Sequence, residues 1–184
     1  MKKKLLLLLI LGLFIFCWVF PFHPTLFYRL FHPFSEKIVV QRVFKNEQIF
    51  DVMITSQQVT AQLLHRRSDG AGESLMDYDK DAPVLVSTNE AQQVKKLLRS
   101  PSSYRWDVGN TCIPDYGVLF NFHSGGQVVR VALCFKCRML GVFEGTDDAA
   151  HQVNFEYIFD PMQKQLMVIC KTIFPNDKEI QALK

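Results

Sequence analysis

Apolar and polar positions alternate through much of the chain that follows residue 35. The alternation runs through Ile38–Phe44 and Ile49–Ile54, and it continues at Val59, Ala61 and Leu63. Successive side chains of a β-strand point to opposite faces, so this period of two is typical of strands with one buried face. The pattern therefore predicts three strands in this part of the chain.

A polar stretch that contains glycines, Arg66–Lys80, interrupts the alternation and predicts a loop. A short apolar strand, Ala82–Val86, follows and leads into Ser87-Thr88-Asn89-Glu90. This is the Ser-x-x-Glu pattern of a capping box, in which the serine and glutamate side chains satisfy backbone N–H groups at a helix start. A helix is predicted from here to Ser100-Pro101, with one apolar face made by Ala91, Val94, Leu97 and Leu98.

The second half of the chain predicts further strands and one more helix. A turn at Gly125-Gly126 joins the first two strands, because glycine accepts the positive φ of tight turns. Asp160-Pro161 starts the helix, and Pro175 ends it. Hairpin-linked strands with two main helices indicate an α+β fold with an antiparallel sheet. The predicted strands are Gly117–His123, Gln127–Phe135, Arg138–Phe143 and Val153–Phe159, and the helix stripe is Met162, Leu166, Ile169, Cys170, Ile173 and Phe174.

The N-terminus predicts export. Lys2–Lys4 precede an unbroken apolar run, Leu5–Phe20, as in the charged and apolar regions of a secretory signal. No pair of small residues for signal cleavage follows, which favours an uncleaved anchor with residues 5–22 in the membrane. We therefore divide the chain into a signal peptide or anchor (1–24), a linker (25–35) and an extracytoplasmic domain (36–184). The domain is expected to be anchored in the cytoplasmic membrane or, if the leader is cleaved, secreted to the periplasm.

The charge of the exported part argues against nucleic-acid binding. The chain has a formal charge of +3, but Lys2–Lys4 supply three of its 21 basic residues, which leaves 18 basic against 18 acidic residues. Binding to a phosphate backbone requires a basic stripe or patch that a neutral domain lacks. We expect no nucleic-acid partner.

Three cysteines, Cys112, Cys134 and Cys137, are the candidate site. Outside the cytosol cysteines are normally found in disulfides. A hairpin that turns at residues 125 and 126 places Cys112 opposite residue 139, so that Cys137 is its diagonal neighbour, two residues away in register. The same register places Cys134 opposite Gly117. Cys112–Cys137 is then the expected bridge, and its loop of about 25 residues would stabilise the fold by about 3 kcal/mol. Cys134, three residues from Cys137, is expected on the opposite face unless a bulge intervenes, and this pairing leaves it over. It is then a buried inert cysteine, a partner of another cysteine such as Cys170, or a reactive group.

Two other chemistries are open to these cysteines. Cys134-Phe135-Lys136-Cys137 matches the spacing of a thiol redox motif, and Lys136 and Arg138 would favour a thiolate there. The strand-like residues on both sides argue against this, since a thioredoxin-like motif opens a helix. Alternatively, three thiolates could bind zinc with a fourth ligand from His123, His151 or Asp115, although Cys112 has no close-spaced partner.

The pattern Cys112-x-Pro114 followed by Leu133-Cys134-Phe135-x-Cys137 resembles a group of bacterial exported proteins without an assigned activity. Ala82–Ser87, Tyr104-x-Trp106 and Phe159-Asp160-Pro161 extend the likeness over roughly residues 82 to 180. The resemblance implies an extracytoplasmic bacterial protein in which the three cysteines form one site. Arg138 departs from the group, where an acidic residue often follows the last cysteine, and this weakens a metal site.

The sequence as a whole therefore favours an exported cell-envelope protein with a non-catalytic binding or structural role. It has no Gly-x-Ser-x-Gly, no His-Glu-x-x-His and no phosphate-binding glycine loop. The alternatives are a thiol redox protein that uses Cys134 and Cys137, and a metal-binding module that uses all three cysteines. No cofactor is expected apart from zinc in that last alternative.

Overall fold

The computed structural model describes residues 36–68, 74–106, 112–145 and 151–184, with the backbone alone for 151–157. The predicted leader and linker, residues 1–35, lie outside the described residues. Within the described ranges, no helix is both long and apolar enough to cross a membrane.

An antiparallel sheet is the centre of the structure, as predicted for the α+β class. Its strands follow the order β2-β1-β4-β5-β6-β7, and β3 pairs with β1 beside β2. The β4–β5 hairpin turns at Gly125 and Gly126, whose φ angles are 56° and 81°. The strands are β1 (Gln58–Arg66), β2 (Tyr78–Lys80), β3 (Val84–Leu85), β4 (Val118–Ser124), β5 (Gln127–Cys134), β6 (Met139–Glu144) and β7 (His151–Ile158).

The helices lie before, within and after the sheet in the chain. The capping box at the start of α3 is confirmed, since the Ser87 hydroxyl accepts the Glu90 N–H and the Glu90 carboxylate accepts the Ser87 N–H. A 3₁₀ turn, Asp160–Met162, precedes α4, so Asp160 is not the N-cap that the sequence predicted. The helices are α1 (Glu36–Val39, continued by a π-helical turn, Val40–Phe44), α2 (Glu47–Thr55), α3 (Thr88–Arg99), α4 (Gln163–Ile173) and α5 (Lys178–Ala182).

The first two predicted strands were wrong, because residues 36–44 and 47–55 are helical. Asn46 caps α2 by accepting the Gln48 N–H at 2.8 Å. The buried residues of α2 (Ile49, Phe50, Val52 and Met53) are spaced as on one helical face, not at every second position. The described residues therefore include a third long helix in addition to the two predicted.

The predicted loop Arg66–Lys80 was also partly wrong, since its last six residues include a 3₁₀ turn (Leu75–Asp77) and β2. Tyr78 on β2 is buried and is part of the site described below. β3 is shorter than the predicted strand Ala82–Val86 and has only two residues.

The sheet buries apolar side chains on both faces. Alternate residues of β4 and β5 separate the two sides, so Phe120 and Val131 lie in a large core with the helices, whereas Leu119 and Ala132 lie in a smaller cluster on the opposite face. The smaller cluster also contains Leu64, Leu75, Tyr78, Tyr116, Cys134, Cys137, Met139, Phe143 and Ile158, with Cys112 packed against it. This second face carries all three candidate cysteines.

Candidate functional site: a three-cysteine cluster at one end of the sheet

The turn between β5 and β6 holds two of the cysteines. β5 ends at Cys134, residues 135–138 form the turn, and β6 begins at Met139. Arg138 has the left-handed φ of 59° that reverses the chain. The Cys137 N–H donates to Cys134 Sγ at 3.3 Å.

This geometry corrects the expectation that Cys134 and Cys137 face opposite sides. That expectation extended the strand period through residue 137, but the segment 135–138 is a turn and the period stops at Cys134. Both side chains are buried in the smaller cluster, where Cys134 is fully enclosed and Cys137 is 7% exposed.

Cys112 reaches the same cluster from the segment that leads into β4. It forms a disulfide with Cys137, with Cα atoms 6.0 Å apart and a sequence separation of 25. This is the pairing that the hairpin register favoured. The Ile113 carbonyl oxygen lies 3.4 Å from Cys137 Sγ, so the backbone beside Cys112 also contacts the bridge. Cys112 is itself only partly buried.

Cys134 remains a thiol in the interior of the cluster. Its sulfur accepts two backbone N–H groups, from Asp115 at 3.3 Å and from Cys137 at 3.3 Å. One donor is Cys137 itself, and the other, Asp115, lies three residues after Cys112. The third cysteine is therefore fixed by both chain segments that the disulfide joins.

Tyrosine side chains hold residues 112–116, hereafter the 112–116 segment, against the sheet. Tyr78 Oη donates to the Pro114 carbonyl oxygen and accepts the Tyr116 N–H, both at 3.2 Å. Burial is the main reason that the pKa of Tyr78 is raised, so its hydroxyl keeps the proton that it donates. Tyr116, 1% exposed, lies over Gly141 of β6. Sequence reasoning missed Tyr78 and Tyr116, and no motif marks them.

Arg138, one of the two basic residues of the motif, forms its ion pair away from the sulfurs. Arg138 pairs with Asp160 at 2.8 Å, and Arg105 pairs with the other carboxylate oxygen of Asp160 at 3.3 Å. Lys136 is exposed in the turn. The interpretation that Arg138 favours a thiolate is therefore replaced by a structural role that ties the turn to the start of α4.

Two predicted fourth ligands for zinc lie at the other end of the sheet. His123 pairs with Gln58 and Val128, whereas Cys134 pairs with Met139 at the opposite end of β5. His151 pairs with Glu144, the last residue of β6. Asp115 is close, but its contact with Cys134 is made by the backbone N–H. Among the described residues, no group of three or more His, Cys, Asp or Glu side chains is arranged to hold a metal ion.

Cys170, which the sequence offered as another partner for Cys134, is in the large core on α4. The sheet separates the two thiols, since Cys134 belongs to the smaller cluster. Burial raises the pKa of Cys170 above the ordinary range of a thiol, which keeps it protonated and unreactive.

Comparison with known protein families, curated proteins and solved structures returned no match. The cluster must therefore be judged on its own chemistry. It contains one disulfide, one enclosed thiol and two backbone donors on that thiol, and its outer edge is Cys112 with the exposed Ile113, 66% of whose surface is accessible. Such an arrangement can stabilise a segment, present that segment to a partner, or exchange sulfur–sulfur bonds.

Proposed function

We propose that this chain is an exported, membrane-anchored protein of the bacterial cell envelope with a non-catalytic binding or structural role. The observation that carries the proposal is the Cys112–Cys137 disulfide, which fixes the 112–116 segment on the sheet. Disulfides of this kind persist in oxidising compartments outside the cytosol. The two other cysteines of the described residues, Cys134 and Cys170, are thiols enclosed in the protein.

The proposed localisation depends on the first part of the sequence. Lys2–Lys4 and the apolar residues that follow support an anchor through residues 5–22, with residues 36–184 outside the cytoplasmic membrane. The resemblance of the cysteine pattern to bacterial exported proteins supports the same localisation. An intact-mass measurement on the natively isolated protein tests it: retention of residues 1–24 supports the anchor, and their loss supports secretion to the periplasm.

The proposed binding role centres on Ile113. This residue sits between Cys112 and Pro114, its side chain is 66% exposed, and its backbone is held by the disulfide contact with Cys137. A side chain on a fixed backbone loses little conformational freedom when a partner covers it, which favours binding. We propose that Ile113 contacts an extracytoplasmic protein partner.

A photo-crosslinking amino acid at position 113 tests this contact in cells. Val168 of α4 is the matched control, because it is apolar and 65% exposed but lies away from the cluster. We expect a discrete crosslinked product from position 113 and none of that size from position 168. Equal products from both positions, or none from either, would contradict a binding surface at Ile113.

Alkylation and mass spectrometry of the natively isolated protein test the disulfide itself. When the protein is acid-quenched and denatured at once, so that no exchange precedes the labelling, we expect a linked Cys112–Cys137 peptide and alkylation of Cys134 and Cys170 alone. Stoichiometric zinc, together with alkylation of Cys112, Cys134 and Cys137 after chelation, would replace the structural role with the metal-binding alternative.

A further inference from the structure

The cluster places a thiol beside a disulfide. Cys134 Sγ lies 3.3 Å from the backbone nitrogen of Cys137, and only Cα and Cβ separate that nitrogen from the Cys137 sulfur. Residues three apart across a reverse turn have Cα atoms within about 7 Å, and disulfides span Cα separations of about 4.4–6.8 Å. Cys137 can therefore bond to either of two cysteines, Cys112 or Cys134.

The surroundings of Cys134 suit an attacking sulfur. In disulfide exchange the attacking sulfur must lie beside the disulfide, and backbone N–H groups that donate to that sulfur hold it in position. Cys134 Sγ has two such donors, from Asp115 and Cys137. Cys170 has no comparable contact among those described, and burial raises its pKa. The two enclosed thiols thus differ in chemistry although both are buried.

We propose that the three-cysteine cluster is a thiol–disulfide exchange site in which Cys134 is the internal nucleophile. The Cys134 thiolate forms a bond to Cys137 Sγ, the Cys112–Cys137 bond breaks, and its electron pair leaves on Cys112 Sγ. The proton given up by Cys134 is balanced by the proton that Cys112 takes up. One disulfide and one thiol are present before and after, so the step needs no oxidant or reductant.

The product carries the reactive group at the surface. Cys112 is partly exposed and adjoins the exposed Ile113, whereas Cys134 and Cys137 are enclosed. The released Cys112 thiolate can attack an extracytoplasmic disulfide R–S–S–R′, forming Cys112–S–S–R and expelling R′–S⁻. The ligand class is therefore a protein or small-molecule disulfide outside the cytosol.

This exchange goes beyond the proposed structural role, and the two can fail separately. A Cys112–Cys137 disulfide that never exchanges leaves the structural role intact and overturns the inference. Free thiols at both Cys112 and Cys137 in the natively isolated protein would instead overturn the proposed function itself.

The test is alkylation of the native, unreduced wild-type protein with iodoacetamide, followed by peptide mapping without reduction. We expect label on Cys112 together with a linked Cys134–Cys137 peptide, while Cys170 stays unlabelled. Cys170 serves as an internal reporter of unfolding, since it becomes accessible only when the large core opens. Label on Cys134 with Cys112–Cys137 still linked, or no label on folded protein, would overturn the proposal.

Variants at the two enclosed thiols provide the comparison. Cys134→Ala should slow the labelling of Cys112 by at least about ten-fold, because it removes the attacking sulfur. Cys170→Ala is the matched control and should leave that labelling unchanged. If Cys134→Ala fails to fold, Cys112→Ala in a glutathione redox buffer gives a second measurement: a Cys134–Cys137 disulfide supports the proposal, and two free thiols overturn it. Unchanged labelling of Cys112 in Cys134→Ala would also refute it.

Discussion

Gly141→Ala should destabilise the domain through its contact with the 112–116 segment. Gly141 lies in β6 beneath the ring of Tyr116, on the face of the sheet that carries the cysteines. A methyl group placed there would lie 2.6 Å from Tyr116 Oη and 2.9 Å from Phe143 Cε2. Both rings are 1% exposed, so neither can turn out into solvent.

The size of the effect follows from these distances. Carbon and its neighbours pack best at about 3.5–4.0 Å, so the added methyl group is about 1 Å too close to Tyr116. Overpacking of this kind typically costs about 1–3 kcal/mol. Alanine recovers about 0.5–1 kcal/mol relative to glycine within a strand, because the unfolded chain has less freedom to lose. We expect the free energy of unfolding to fall by about 1–2 kcal/mol.

Urea denaturation followed by circular dichroism measures this change. Gly117→Ala is the matched control, because a Cβ at Gly117 meets no atom within 4 Å, and it should be neutral or slightly stabilising. In a Tyr116→Phe background, which removes the closest atom, Gly141→Ala should cost at least about 0.5 kcal/mol less. Equal stabilities for the Gly141 and Gly117 variants would refute the packing of Tyr116 on β6.

Three further predictions concern stability. Replacing Cys112 and Cys137 together by alanine should lower the free energy of unfolding by about 3 kcal/mol, measured in urea; a loss below about 1 kcal/mol would contradict a stabilising bridge. Ser87→Ala removes the cap of α3 and should lower the free energy of unfolding by about 1 kcal/mol, also measured in urea. An unchanged free energy of unfolding would refute the cap. Burial, and then the charge of Arg130, hold the pKa of His123 below its ordinary value of 6.5, so His123 resists protonation in the folded state. The folded state should therefore lose stability as pH falls through about 6.5, and His123→Gln should lose less. Urea midpoints of both proteins at pH 7 and pH 5 measure this difference. Identical pH profiles for the wild type and the variant would contradict the shift in the pKa of His123.

The sheet was predictable where short, mostly apolar segments are bounded by turn residues. β4 and β5 are such segments, and two glycines mark the turn between them, whereas β1 shows the alternation of a strand in its first half. Ile49–Ile54 was not predictable in this way, because five of its six residues are apolar and fit a helix as well as a strand. The signal that separates the two is Asn46, whose side chain caps α2.

The site was predictable in part. Hairpin register placed Cys112 near Cys137, and that depends only on where the turn lies. The position of Cys134 was not predictable, because the side on which it meets Cys137 depends on the backbone of residues 135–138. Tyr78 contacts Pro114 of the 112–116 segment, which lies 36 positions later in the chain. No local sequence pattern encodes such a long-range contact.

Contacts from the junction between β7 and α4 hold the turn that carries Cys137, and this bears on how the cysteines pair while the chain is being made. The Phe159 N–H donates to the Arg138 carbonyl oxygen at 2.8 Å, and Asp160 binds the Arg138 side chain. Both contacts hold the turn that carries Cys137, yet they come from residues that emerge more than twenty positions later. A chain that has emerged only as far as β6 has all three cysteines but neither contact. The final arrangement of the sulfurs therefore depends on Phe159 and Asp160, and a chain truncated before Phe159 should yield mixed pairings of the three cysteines.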